Sequence, residues 1–198
     1  MSGKPAPWTV ESSRMAYSDR FLRHRIDRCV TERGNVIDPY HVLDFNEWCM
    51  VVALTGSGDL VLVEEYRHAA GQVIRGLPSG TVEAGEDPAV AMPRELKEET
   101  GYGGGTWIAL PPIWPNPATA SNTCHCYLAL GAERTGTQTL DPGETIEVLA
   151  VDPAATVTEL MEGRWKANGL HVANLLMARE HARAHLADNP IAAKLIGR

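Results

Sequence analysis

The chain has 198 residues, enough for one domain with a substantial core, and its 44% hydrophobic content excludes a disordered polymer. No apolar run approaches the ~18–20 residues of a membrane-spanning helix, and a net charge of −7 argues against nonspecific nucleic-acid binding. The first residues, MSGKPAPWTVESS, hold no apolar signal core, so a cytoplasmic protein with no membrane or nucleic-acid partner is expected.

In chain order, residues 1–16 read as loose, with Trp8 as the single large apolar anchor. Its ring can pack on a neighbouring surface or stack on a nucleobase, and the residues leave both open. Between Tyr17 and Phe45 the pattern suggests one or two strands with a turn at Arg33–Asn35. Trp48–Thr55 and Leu60–Tyr66 are β-branched and apolar, and Gly-Ser-Gly-Asp between them makes a hairpin. Val73–Pro78 reads as a short extended piece. Thr106–Leu110 is a predicted strand, followed by the proline-rich PPIWPNPATASN and a central strand over Thr123–Leu130. Cys124 and Cys126 alternate there and share a face. With no C-x-x-C pair in the chain, the four cysteines read as core residues rather than zinc ligands. Ile146–Val151 is a further strand, Thr158–Gly163 a short helix. A long helix starts at Asn168 or Gly169, with Leu170, Ala173, Leu175, Leu176 and Met177 on its apolar side. His181 and His185 stand one turn apart but lack a third ligand, and read as a solvated face. No repeat or linker divides the chain into two domains. The reading is an N-terminal segment over 1–35 and one domain over 36–198.

The stretch from Gly80 to Tyr102, GTVEAGEDPAVAMPRELKEETGY, carries the chemistry. Asp87 suits an N-cap, Pro88 the first helical position and Gly101 the C-terminal stop. On that helix Glu98 and Glu99 fall about 60° and 40° either side of Glu95, so three carboxylates share ~100° of one face. Such a cluster repels itself unless neutralised, and Mg²⁺, a hard cation taking oxygen ligands, does this well. An acidic solvated face is the other meaning of E-x-x-E-E alone. Arg94 lies four residues before Glu98 and can damp the repulsion. Pro93 has no N–H for the Ala89 carbonyl, a loss of about 3 kcal/mol in a regular helix, so a bent approach to the cluster is expected.

The full spacing is Gly80, five residues, Glu86, seven residues, then Arg94-Glu95-Leu96-x-Glu98-Glu99-x-Gly101-Tyr102. It resembles the signature of the Nudix hydrolases, G-x5-E-x7-R-E-U-x-E-E-x-G-U, at every fixed position, with Tyr102 a mild variant at the last apolar place. The resemblance implies an α/β (α+β) fold, an α/β/α sandwich with a mixed central sheet and a loop–helix–loop catalytic motif. It implies that Glu95 and Glu99 ligate a metal directly, that Glu98 serves a further metal or its water, and that the Ser79 carbonyl joins them. Glu86 and Arg94 would form an orienting ion pair, with Gly80 and Gly101 structural. The implied cofactor is Mg²⁺, with Mn²⁺ as the other candidate.

Two further stretches resemble the ADP-ribose pyrophosphatase group of that family. Glu64–Arg67, EEYR, and Leu77–Gly80, LPSG, match its Q-Y-R and E-L-P-A-G elements, which implies that Arg67 contacts substrate phosphate. The chain departs from the group at Gly76, where a glutamate is usual. Pro117 lies sixteen residues beyond Gly101, the offset of a substrate-linked proline in that group. The catalytic base of the group sits in an acidic loop, here LDPGETIEVLAV. Glu144 is the candidate, with Glu147 and Asp141 as alternatives, so Glu98, Glu99 and Glu144 form the implied catalytic set. The implied reaction is hydrolysis of ADP-ribose to AMP and ribose 5-phosphate. GDP-mannose or another nucleotide sugar is the alternative substrate, and a non-catalytic nucleotide sensor the rival class. Relatives imply a homodimer in which residues Trp8–Ile37 act in trans and Trp8 helps bind the substrate.

Overall fold

Strand β4 (Trp48–Thr55) is buried along both faces because its residues alternate between two apolar layers. In the computed structural model, which describes residues 4–198, Met50, Val52 and Leu54 point to one layer and Cys49, Val51 and Ala53 to the other. Beside β4 run β5 (Leu60–Arg67), β10 (Cys124–Arg134) and β11 (Ile146–Val151), in the order β11-β5-β4-β10. The shorter β6 (Gln72–Gly76) pairs with β5, and β7 (Ser79–Thr81) with β4. β8 (Tyr102–Gly103) and β9 (Thr106–Ile113) pair with β10. The β4–β10 pairing is parallel and its neighbours are antiparallel, so the sheet is mixed.

The first layer packs the sheet against α2 (Pro153–Met161), α3 (Gly169–His185) and α4 (Pro190–Leu195), through Val157, Leu175, Ala178, Ala182 and Leu195. The second packs it against α1 (Pro88–Thr100) through Ala91, Met92 and Leu96. This is the expected α/β/α sandwich. Cys124 and Cys126 sit together in the first layer as free, buried thiols, which is the core role their alternation predicts. No described helix is long and apolar enough to cross a membrane.

The sandwich forms one compact unit, Trp48–Ile113 with Cys124–Arg198; the described residues up to Glu47 with Trp114–Thr123 form a second. The second unit carries a three-stranded antiparallel sheet, β1 (Thr9–Ser18), β2 (Arg23–Val30) and β3 (Val36–Asp44). Residue 35, the boundary drawn from sequence, falls in the turn between β2 and β3. Residues 9–16 are not loose. TVESSRMAYS has no alternating apolar face to betray a strand, and every residue of it is exposed. Pairing from Thr9 opposite Val30 to Ser18 opposite Arg23 holds it, with Ser13 Oγ donating to Asp27 and Arg28 ion-paired to Glu11.

Three other elements differ from their predicted extent. α2 begins at Pro153, five residues before the predicted start, because Asp152 caps it by accepting from Ala155 N and Pro153 suits the first position. β9 continues to Ile113 through two prolines, since it pairs only on its β10 side. α4, capped by Asn189, is a helix the periodicity is too short to show. α1 runs unbroken through Pro93.

Candidate active site

The site begins where β7 is pinned along β4, Met50 opposite Ser79 and Trp48 opposite Thr81. The chain then turns to Asp87, whose carboxylate accepts from Ala89 N and caps α1 with Pro88 in the first position. At the far end Gly101, in the left-handed conformation, returns its N–H to the Lys97 carbonyl. These caps set the rotation of α1, and Glu95, Glu98 and Glu99 line one cleft.

Each carboxylate has a distinct tie. Glu99 is 6% exposed, and its Oε2 accepts from Ser79 N at 2.9 Å. Glu95 lies against Gly80: a Cβ there would stand 2.1 Å from the Glu95 carboxyl carbon, so any side chain at this position would displace that carboxylate. Behind Gly80, the Cys49 thiol donates to its carbonyl at 3.5 Å; burial pushes that thiol up to about 12, so it stays protonated. Arg94 grips Glu86 with two bonds, Nε to Oε1 at 3.0 Å and Nη2 to Oε2 at 2.9 Å. Its Nη1 reaches Glu95 at 3.0 Å and Glu98 at 2.9 Å. The structure thus brings together Gly80, Glu86, Arg94, Glu95, Glu98 and Glu99, while Gly101 closes the opposite end of α1.

Burial pushes the Glu99 carboxyl well above the usual range, opposed by the Ser79 amide and reinforced by the charges of Glu65, Glu95 and Glu144. Burial also raises Glu95, with the Arg94 guanidinium holding it down. Buried carboxylates that crowd one another are a donor set short of positive charge. An oxygen-seeking divalent cation fits that set, since one cation supplies what Arg94 alone supplies only in part. Among the described residues no three His, Cys, Asp or Glu side chains already converge in ligating geometry. Arg94 Nη1, bonded to both Glu95 and Glu98, holds those two in an ion pair instead.

The facing wall comes from β5 and β11. Ile146 pairs opposite Glu65, which brings the loop before β11 beside the end of β5. That loop is tied to the C-terminal carbonyls of α1: Thr139 N donates to Glu98 O at 2.9 Å, and Gln138 Nε2 to Glu99 O at 2.8 Å and Ile146 O at 3.0 Å. Glu144 Oε2 accepts from Asp141 N at 3.0 Å. A cleft of about 530 Å³ results, with Glu65, Arg67, Asp141 and Glu144 across from the α1 carboxylates. Glu147 pairs opposite Glu64 in the strand and does not line the cleft.

Glu65, Trp48 and Gln138 are the residues the sequence reading missed. Glu65 ion-pairs with Arg67 on the same strand face, and burial raises its carboxyl. Its position two residues before Arg67 was the available signal. No sequence pattern marks Gln138, whose partners are the main-chain carbonyls of Glu99, 39 residues away, and Ile146, eight residues away. Trp8 and Pro117 belong to the N-terminal unit. There Trp8 meets Tyr40 edge-on at 5.8 Å, and both Trp8 and Pro117 are exposed.

His171, in the first turn of α3, is the other buried polar group of this region. Its Nδ1 accepts from Leu77 N at 3.1 Å. Burial, aided by the Arg67 charge, lowers the imidazole to about 4 from an ordinary 6.5. Because the folded value lies below the unfolded one, the stability contributed is fully present above pH 6.5 and is lost as pH falls toward 4. The difference amounts to about 3 kcal/mol. Urea midpoints followed over that window should fall more steeply for the wild type than for His171→Asn; parallel curves would show that His171 is not buried neutral.

The NUDIX domain family model matches residues 47–171. An ADP-ribose pyrophosphatase of Mycobacterium tuberculosis is 34% identical over 87 residues, 43% of this chain and 42% of that one. A CMP-5'-(N-acetyl-N-hydroxy-3-aminopropyl)phosphonate hydrolase of Streptomyces rubellomurinus is 30% identical over 166 residues, 82% of this chain and 78% of that one. Several curated relatives match over only about half their own length. A crystal structure of an ADP compounds hydrolase superposes with a TM-score of 0.78 at 20% identity, covering 92% of this chain and 98% of that one, which shows a shared fold. The complete glutamate signature, the loop–helix–loop that carries it and the match over 47–171 agree: the chain belongs to the Nudix hydrolase family.

Proposed function

We propose that this chain is a Mg²⁺-dependent hydrolase that cleaves the pyrophosphate of a nucleoside diphosphate joined to a second group, with ADP-ribose the leading substrate. The observation that carries this reading is the single cleft in which Glu95, Glu98 and Glu99 face Arg67 and Glu144. The name of the Mycobacterium tuberculosis relative supports ADP-ribose, as does that of a Bacillus subtilis relative, and the ADP-sugar pyrophosphatase of mouse supports the broader class. The CMP-phosphonate hydrolase supports a second reading, a cytidine nucleotide derivative.

Glu95, Glu98, Glu99 and the Ser79 carbonyl would hold the cation, Mg²⁺ or Mn²⁺. When bound, it neutralises pyrophosphate oxygens, polarises phosphorus and lowers the pKa of the attacking water. Arg67 binds and orients a phosphate, and Arg94 with Glu86 keeps α1 in register. The water oxygen forms a bond to phosphorus, the bridging P–O bond breaks, and Glu144 accepts the water proton. For ADP-ribose the products are AMP and ribose 5-phosphate.

The test is phosphate release from nucleotide sugars, dinucleotides and nucleoside triphosphates by the full chain with Mg²⁺ and a coupled phosphatase. Preference for ADP-ribose supports the leading reading, and preference for a CMP derivative the second. Tight nucleotide binding with no turnover would overturn both in favour of a sensor. Glu144→Gln should lower kcat about a hundredfold with little change in KM. Glu147→Gln, whose side chain lies outside the cleft, should stay within about twofold; the reverse ranking would move the base to Glu147.

We also propose a homodimer built through the N-terminal unit and, from four free cysteines, a reducing compartment such as the cytoplasm. β1 exposes Val10, Met15 and Tyr17 by 53–54% each, apolar surface that a second copy would cover. Light scattering should return twice the 21.5-kDa chain mass, and a monomer mass would remove the proposal.

A further inference from the structure

Gly76 stands immediately before Leu77 and carries no unusual backbone conformation. What requires glycine there is the His171 ring: a Cβ would lie 2.5 Å from Nδ1 and 2.7 Å from Cε1. The imidazole therefore fills the space that a side chain at position 76 would take, and it is 4% exposed. A purely apolar filler would serve packing better. His171 Nε2 has no hydrogen-bond partner among the described residues, and a buried polar atom left so costs about 1–3 kcal/mol.

Nδ1 faces the main chain that builds the metal loop. Three successive residues are each held by a different element: Leu77 N by His171 on α3, Pro78 O by Val51 N on β4 at 3.1 Å, and Ser79 N by Glu99 on α1. The accepting Nδ1 places the ring proton on Nε2, so one neutral tautomer serves this bond. The ring also lies 5.7 Å from Trp48, tilted by 31°, and Trp48 lines the cleft. One side chain on α3 thus supports both the strand entering the loop and an aromatic wall of the site.

We propose that His171 is a positioning residue of this active site. Through the Leu77 amide it fixes the Leu77–Ser79 segment so that the Ser79 carbonyl and Glu99 carboxylate meet one cation, and through Trp48 it holds the adjoining wall. The proposal rests on the metal reading above. Gly76 is the matching half of the device, the absent side chain that lets the ring reach Leu77.

The test is Mn²⁺ titration of the full chain, free ion read by electron paramagnetic resonance, with kcat, KM and Tm measured in parallel. Glu99→Gln is the control for the metal site. His171→Leu, which fills the space but cannot accept from Leu77, should weaken Mn²⁺ about tenfold, the scale on which groups supporting a ligand act. His171→Asn, whose Oδ1 can accept, should recover most of that affinity. Gly76→Ala drives a methyl into the ring and should weaken Mn²⁺ like His171→Leu; it carries the comparison if the leucine variant does not fold. Unchanged Mn²⁺ affinity in His171→Leu or Gly76→Ala, with only Tm lowered, would overturn the proposal and leave His171 a core residue. A wild type whose Mn²⁺ binding equals that of Glu99→Gln would overturn the metal reading itself.

Discussion

Glu99→Gln is expected to cut turnover by about a thousandfold while raising the Tm of the metal-free protein. The two effects share one cause. Glu99 is buried, and among the described residues its carboxylate accepts from the Ser79 amide alone. Glu65, Glu95 and Glu144 add negative potential. Glutamine keeps the shape and can still accept from Ser79 N, but it removes the charge that burial disfavours. A carboxyl raised above its ordinary 4.5 stabilises the fold below that pH, and the contribution is lost as pH rises through the raised value. Above that ordinary value the wild type therefore carries a cost, for ionising Glu99 or for keeping it protonated, that the variant lacks. Relief of about 1 kcal/mol would raise Tm by roughly 2–4 °C in a chain of this size. Mg²⁺ should stabilise the wild type and not the variant. Thermal scans of both proteins, with chelator and with Mg²⁺, make the comparison. A variant less stable than the wild type in chelator would show that Glu99 is held as a structural acceptor, not a strained ligand.

Gly80→Ala should have the second-largest effect, about a hundredfold in kcat/KM. The added methyl cannot share space with a carboxyl group 2.1 Å away. Either Glu95 swings out, breaking its 3.0 Å bond with Arg94, or the β7 strand shifts from β4. The first takes the Glu95 carboxylate out of the metal set, and the second moves the Ser79 carbonyl relative to α1. Because Glu95 is the flexible partner, most of the loss should appear in the Mg²⁺ concentration needed for half-maximal rate. Saturating Mg²⁺ should therefore recover part of the activity. Wild-type kinetics at all Mg²⁺ concentrations would show that Glu95 has room to move without consequence and does not ligate.

Much of this site is legible because it is local. Glu95, Glu98 and Glu99 share a face through helix geometry alone, and Asp87, Pro88 and Gly101 announce where that helix starts and stops. Glu86 reaches Arg94 across the same loop. The central strands are equally plain, since β4, β5 and β10 are apolar enough to be buried on sight. β1 is the counterexample. Its residues bury nothing in the chain, so no periodicity marks them, and only pairing with β2 makes them a strand.

What local chemistry determined, then, is the catalytic helix, its carboxylates and the family to which they belong. The tertiary structure alone decided which other residues stand with them. Glu65 and Glu144 meet because β11 pairs with β5, over a sequence distance that no short-range rule spans. The choice of Glu144 over Glu147 as cleft residue turned on loop register, which Gln138 sets by bonding the carbonyls of Glu99 and Ile146. His171 reaches Leu77 across 94 residues because Gly76 leaves the space open. Helical spacing is a property of the chain itself. Long-range juxtaposition is a property of packing, where each contact depends on every layer between.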